Sequence, residues 1–406
     1  TLVLVCALPI WAAFVTSGDV TNPLVCTAGA AELNLQGMID RANAGDTIKL
    51  SSNTEIAATL QITKNLTLDL NGCVLRMRGT GSVLKVSDRA TLTITDSSAA
   101  KSGTITGGNA EDGGGVYVEA HATLEMTGGC ITGCRAEDGG GVYIDNNATL
   151  KMTGGCITDC HASYGGGGIY SYENLYMGGT AKIEKCTSKW GSDDAIWNRE
   201  RCNIYADGGT VDGTVNNQGT IRRSEGAAAE TVFNGTVYNR SAGTIIAGIY
   251  NETVENNGTI TGGTFWGTVT NKKSAWGNEA GTISGGTFAV RFDTGDGTKP
   301  EPTPVEHNRT VLRPTSDPEK SGHTFVGWYL GDALYDFNTP VTAPLTLTAR
   351  WEEVPSSGGN YYYHPTTDTK ADDTKGSPKT ADPGVALYGA LALLSLTGLT
   401  CTAKKR

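Results

Sequence analysis

Positive charge is what this chain has least of. Its 32 Lys and Arg stand against 42 Asp and Glu, a net charge of −10. Nucleic acid is therefore not expected as a partner, because nothing clusters to neutralise phosphates. An acidic balance suits a soluble, self-repelling surface protein. Histidine is also scarce: His121, His161, His307, His323 and His364 form no cluster. An apolar period of 3.6 residues is missing from the repeated body, which argues against a helical solenoid. At 38% hydrophobic and 18% charged residues the chain is globular in bulk, and 406 residues exceed one compact core. Gly is the excess, with 55 residues and no G-X-Y period, so it marks tight turns.

The two ends speak to location. Thr1 to Val15 is an apolar run without an initiator Met or a basic leader. It is short for a bilayer span. We read residues 1–17 as the h-region of a truncated signal peptide, with cleavage after Ser17 or Ala30; a buried first strand is the alternative. At the other end, residues 385–403 are uncharged and long enough for one membrane helix. Lys404, Lys405 and Arg406 follow as a membrane stop that keeps this end cytoplasmic. Before the apolar run stands Ser377-Pro378-Lys379-Thr380-Ala381.

This order of features, over residues 377–406, resembles the cell-wall sorting signal of Gram-positive surface proteins, which carry Leu-Pro-x-Thr-Gly, a hydrophobic stretch and a basic tail. The resemblance implies sortase and peptidoglycan as partners. A sortase Cys thiolate attacks the Thr carbonyl, and the acyl group passes to a peptidoglycan amine. Pro378 and Thr380 match the motif, whereas Ser377 replaces Leu and Ala381 replaces Gly. A plain single-pass anchor is the alternative. On either reading the bulk of the protein lies outside the cell. The membrane holds only the precursor if sorting occurs.

The body is a repeat. Met126-Thr-Gly-Gly-Cys130-Ile-Thr-Gly-Cys134 returns 26 residues later as Met152-Thr-Gly-Gly-Cys156-Ile-Thr-Asp-Cys160. Gly113-Gly-Gly-Val-Tyr117 returns at Gly139 and, as Gly-Gly-Gly-Ile-Tyr, at Gly166. Such a period signals a solenoid. Ala122-Thr-Leu-Glu-Met-Thr127 alternates apolar and polar residues, the strand period. Three short strands per coil, each pairing with its copy one coil up, make a right-handed parallel β-helix. We expect it over residues 31–289, with Leu124, Met126, Ile131, Leu150 and Met152 inward. An amphipathic helix over Leu33 to Asn43 would cap the open end. The GGGVY and MTGG phrases resemble adhesin-like β-helix surface proteins.

A second module spans residues 290–352. Val290-Arg-Phe-Asp-Thr-Gly-Asp-Gly297, Gly322-His-Thr-Phe-Val-Gly-Trp-Tyr329, Tyr335-Asp-Phe337 and Leu345-Thr-Leu-Thr-Ala-Arg-Trp351 stand in order. They resemble the Listeria–Bacteroides repeat, the B-repeat of internalin-type surface proteins. The resemblance implies a small β-grasp-like domain with Phe325, Trp328, Phe337 and Trp351 as core. Residues 353–376 read as a polar linker, and its Tyr361-Tyr-Tyr363 run could stack on sugars.

Candidate chemistry is sparse. Gly191-Ser-Asp193-Asp194 resembles the paired aspartates of pectin-degrading β-helix enzymes, and paired carboxylates cleave glycosidic bonds. These aspartates fall where earlier coils place Gly, so we assign no catalytic residues and expect no enzyme. Glu111, Asp112, Glu137 and Asp138 stack over two coils and are weak Ca²⁺ candidates, with a solvated turn as the alternative. Cys134, Cys160 and Cys186 form a column, and Cys130 stacks on Cys156. They read as a hydrophobic core in which a disulfide rung is allowed but not required. No cofactor is expected. The function expected is a wall-anchored adhesin or recognition protein whose ligand includes glycans among the possibilities. A polysaccharide lyase or hydrolase and a passive spacer are the alternatives.

Overall fold

The computed structural model describes residues 24–26, 34–189, 194–273, 280–298 and 300–354, all within one compact unit. The expected signal segment 1–17, the linker from residue 355 onward and the sorting signal with its apolar span lie outside these residues. Among the described residues no helix is long and apolar enough to cross a membrane.

Alternation of inward and outward side chains makes each short run a strand buried on one side. Thr123–Met126 shows the pattern, with Leu124 and Met126 inside and Thr123 and Glu125 toward solvent. One coil cannot cover its own inner face, so coils stack, and like residues meet. Leu92, Leu124, Leu150, Leu175 and Ile204 pair in register from coil to coil. Met126 pairs with Met152, and both are fully buried. The result is an almost wholly β structure of parallel strands in long sheets, a β-helix whose coils run from Thr47 to Phe288.

Each coil has three faces. The first begins with Thr47–Leu50 and the second with Thr54–Ile56. The third, beginning with Leu60–Ile62, is a separate 10-stranded sheet. A short extra sheet of Arg135–Asp138, His161–Gly165 and Thr187–Ser188 lies between the second and third faces of the middle coils. Its inward Ala136 and Ala162, with Cys134, Cys160 and Cys186, fill that corner. These three cysteines are free, whereas Cys130 and Cys156 form a disulfide between neighbouring coils with Cα atoms 4.5 Å apart.

After Ser188 the extra sheet stops. Asp212 is then followed by Gly213 and directly by the third-face strand Thr214–Asn217. Fewer inward side chains fill each later coil, so larger ones do the work. The second-face column Ile157, Ile183, Val211 continues as Phe233, Tyr250, Phe265 and Phe288. Their rings stack at 5.0, 4.9 and 5.5 Å. Gly263 lets this happen: its φ is +96°, and a Cβ there would lie 3.1 Å from the Tyr250 ring.

Both ends are covered. Helix Leu35–Arg41, capped by the Asn34 side chain, buries Leu35, Met38 and Ile39. It is shorter than the sequence suggests but lies where a cap was expected. Gln36 supplies the rung that the edge strand lacks: its Oε1 accepts the Gln61 N–H at 2.8 Å, and its Nε2 donates to the Gln61 carbonyl at 3.2 Å. At the far end Thr287–Asp293 serves two structures. Its start pairs with Thr264–Phe265, and its end pairs parallel with Leu345–Glu353 of the second module. Thr303–Glu306 then covers its free edge antiparallel. In that module Trp328 is buried, while Phe325, Phe337 and Trp351 are partly buried and pack on the core. Phe325 meets Trp328 and Trp351 edge-on at 5.4 and 5.5 Å.

A buried amide ladder runs beside the third face. Asn198, Asn217, Asn239 and Asn256 each donate from Nδ2 to the next Oδ1, ending at Asn271, at 2.7–2.8 Å. Asn198 Oδ1 has no partner, because the coil before it holds Ser171, whose hydroxyl donates to the Glu173 carbonyl. Asn239→Ala should strand the Asn217 amide and the Asn256 carbonyl and destabilise the coils by about 3 kcal/mol. Ser171→Asn should supply the missing donor and stabilise by about 1 kcal/mol. Hydrogen exchange of the third-face amides checks both signs.

Candidate functional site

The outward position of each third-face strand is set by the pleat, and parallel pairing aligns it from coil to coil. Lys85, Tyr117, Tyr143, Tyr170, Trp197, Asn216 and Tyr238 occupy it in turn. Four of them form a continuous aromatic column. Ring centroids are 5.4 Å apart for Tyr117 and Tyr143, 5.7 Å for Tyr143 and Tyr170, and 6.3 Å for Tyr170 and Trp197. The last two pairs are stacked, with ring planes parallel to within 5° and 9°. Tyr172 adds a fifth ring beside Tyr143 and Tyr170.

Polar neighbours hold these rings. Tyr117 donates its hydroxyl to Asp145 at 3.1 Å. Arg199 donates to the Tyr170 hydroxyl at 2.9 Å and lies 4.7 Å over the Tyr172 ring. Burial raises the Tyr117, Tyr143 and Tyr170 phenols above their usual range, so all stay neutral.

A cleft of about 960 Å³ opens at the end of this column. It sits at the step where the extra sheet stops. Ser188, the last residue of that sheet, forms part of one wall; the tight turns Asp212-Gly213-Thr214 and Asn234-Gly235-Thr236 line the opening. Trp197, Asn216, Tyr238, Arg240, Asp194 and Glu252 complete the lining. Arg240 lies 4.8 Å over the Tyr238 ring.

Of the aspartate pair singled out in the sequence, Asp193 lies outside the described residues. Asp194 is buried in the cleft wall, where it accepts from the Gly166 N–H at 2.9 Å and from Asn216 Nδ2 at 3.2 Å. Burial raises its carboxyl, against hydrogen bonds from Ser188, Gly166 and Asn216. The acidic rungs divide by depth. Asp112 and Asp138 are half-buried and bridge in parallel, and Glu111 and Glu137 are exposed. Asp138 accepts from the Gly165 N–H at 3.1 Å. Among the described residues no three His, Cys, Asp or Glu side chains converge as a metal centre would require. Sequence reasoning missed the cleft itself. The recurring Ile/Val-aromatic pair at Tyr117, Tyr143, Tyr170, Trp197 and Tyr238 was the available signal.

The chain matches the Listeria–Bacteroides repeat domain over residues 288–350, a domain typical of surface proteins. Two proteins of Evansella cellulosilytica are similar over 69 residues. One, provisionally named a Gly-rich membrane protein, is 35% identical across 16% of this chain and 8% of its own length. The other, provisionally named a membrane protein, is 38% identical across 16% of this chain and 10% of its own length. The chain thus aligns with a tenth or less of these relatives' length. No solved structure matches it significantly.

Asp112 yields a test of how charge is held here. Burial, then Asp138, Glu111, Asp145 and Glu137, push its carboxyl from 3.8 up to about 6. The folded chain therefore keeps a proton that the unfolded chain has released. The stability gained from the neutral form is complete below the unfolded value and is lost as pH rises through about 6. Asp112→Asn should raise the thermal midpoint at about pH 7 and change it little at about pH 3, below the unfolded value. The gain is tempered by solvent, because the residue is only half-buried.

Proposed function

We propose that this chain is a surface-displayed recognition protein, an adhesin in the broad sense, fixed to a bacterial cell wall by sortase. One observation carries the reading: a long solenoid with a lateral aromatic cleft shares a compact unit with a Listeria–Bacteroides repeat. The solenoid provides a binding face, and the repeat and the segment after it distance that face from the wall. The order Ser377-Pro378-Lys379-Thr380-Ala381, apolar run and Lys404-Lys405-Arg406 supports the sorting step, in which the bond between Thr380 and Ala381 is cut. The membrane would then hold only the precursor.

A second reading, polysaccharide cleavage, is favoured by Asp194, whose raised carboxyl shares a cleft with Asp212 and Glu252. Against it, Asp194 already serves Gly166, Ser188 and Asn216 as a structural acceptor. Release of reducing or unsaturated ends from pectin-like polymers, lost in Asp194→Asn, would favour the enzyme.

Fractionation tests the anchoring. The protein should stay with peptidoglycan through boiling detergent until the wall is digested, and Thr380→Ala should move it to the membrane fraction. Detergent release of an intact chain that still carries Arg406 would replace sorting by a simple anchor.

A further inference from the structure

We propose that the outer surface of the third face, from Tyr117 to the cleft at Tyr238, binds an extended glycan that carries free amino groups. The inference deepens the recognition reading and rests on it.

The first support is the aromatic column. Sugar rings present flat C–H faces that pack on aromatic side chains, and successive rings here recur every 5.4–6.3 Å. That repeat is close to the length of one sugar unit in an extended chain. Tyr117, Tyr143, Trp197 and Tyr238 are only half-buried, so part of each is open to a ligand. Asp145 and Arg199 already fix the Tyr117 and Tyr170 hydroxyls, so little order remains to be imposed on binding.

The second support is the cleft that closes the column. A glycan needs hydrogen-bond partners for its hydroxyls as well as flat surfaces. Asn234, Asp212 and Glu252 line this step together with Trp197 and Tyr238.

The third support is charge. Asp112, Asp138 and Asp145 flank the rings, and Asp194, Asp212 and Glu252 line the cleft. The cations nearby are engaged: Lys85 pairs with Glu119 at 3.2 Å, and Arg199 and Arg240 lie over Tyr172 and Tyr238. Burial and then the neighbouring carboxylates raise the Asp112 carboxyl. Asp212 pairs with Lys182 at 3.4 Å, and Arg199 and Arg240 act on Asp138 and Asp194, but the six carboxylates still outnumber these three cations. Like charge disfavours a uronate polymer, and an amino-sugar polymer supplies the missing cations.

Calorimetric titration of the full chain tests this with four probes: a glucosamine hexamer, its fully N-acetylated counterpart, an oligogalacturonate and calcium chloride alone. The glucosamine hexamer should bind, more weakly as salt rises. Trp197→Ala and Tyr143→Ala should each weaken it about tenfold, the loss of roughly one stacking contact. If Trp197→Ala lowers the thermal midpoint, Tyr238→Ala takes its place. Equal binding of the acetylated hexamer, preference for oligogalacturonate, or a calcium signal in place of a glycan signal would each overturn the proposal. So would unchanged affinity in well-folded aromatic variants. Failure here leaves wall anchoring standing, because that reading falls only on the fractionation.

Discussion

No coil of this protein can bury its own inner face, and the rest of the structure depends on that constraint. A strand such as Thr123–Met126 offers only Leu124 and Met126 inward, too little apolar surface to offset its own ordering. Stability comes from the coil above and the coil below. Register is then strict, because a slip of one residue would turn every inward side chain to solvent. It also explains why like pairs with like: Leu124 on Leu150, Met126 on Met152, Cys130 on Cys156. The same constraint makes the ends hazardous. Gln36 at one end and Thr303–Glu306 at the other answer it by completing a rung that no further coil supplies.

Register aligns the outside as firmly as the inside. The backbone that stacks Val116 on Val142 and Ile169 must also stack Tyr117 on Tyr143 and Tyr170. The outer residues are free to vary without disturbing the core, yet here they repeat as aromatics. The cleft has a different origin. It follows from the end of the extra sheet at Ser188, after which Gly213 joins the second and third faces directly. Loss of that sheet exposes the flank of the last wide coil. The same loss calls for Phe233, Tyr250 and Phe265 inside the narrower coils. One change in coil outline therefore reshapes both the core and the surface.

These origins explain what could be read from the sequence. The 26-residue repeat was visible because Met126 and Met152 are direct neighbours in a sheet. The second module was visible because its aromatic phrases occur in a recognisable order, and Trp328 proved the most buried of the four. The asparagine ladder was not seen. Its members are separated by 19, 22, 17 and 15 residues, so no fixed period finds them. A phrase search would have: Ile196-Trp-Asn198, Val215-Asn-Asn217, Val237-Tyr-Asn239, Val254-Glu-Asn256 and Val269-Thr-Asn271 share one form. The cleft was harder still, because it is a relation between a sheet that ends and a turn that tightens. Asp194 shows the gap well. Its sequence position, where other coils carry Gly, was clear; that it would be buried against Gly166 and Asn216 was not.

The ladder and the cleft meet at one coil, and that meeting constrains how each can change. Asn198 begins the buried amides, and Trp197, its neighbour in the same strand, ends the aromatic column. In a strand, adjacent residues face opposite ways, so the two serve the interior and the surface from one short segment. Asn216 and Asn217 repeat the arrangement one coil later: Asn217 continues the ladder, while Asn216 holds Asp194 and lines the cleft. The inner amides fix where the backbone lies, and the backbone fixes where the outer side chains stand. Residues with no contact to a ligand thus set the spacing of those that would touch it.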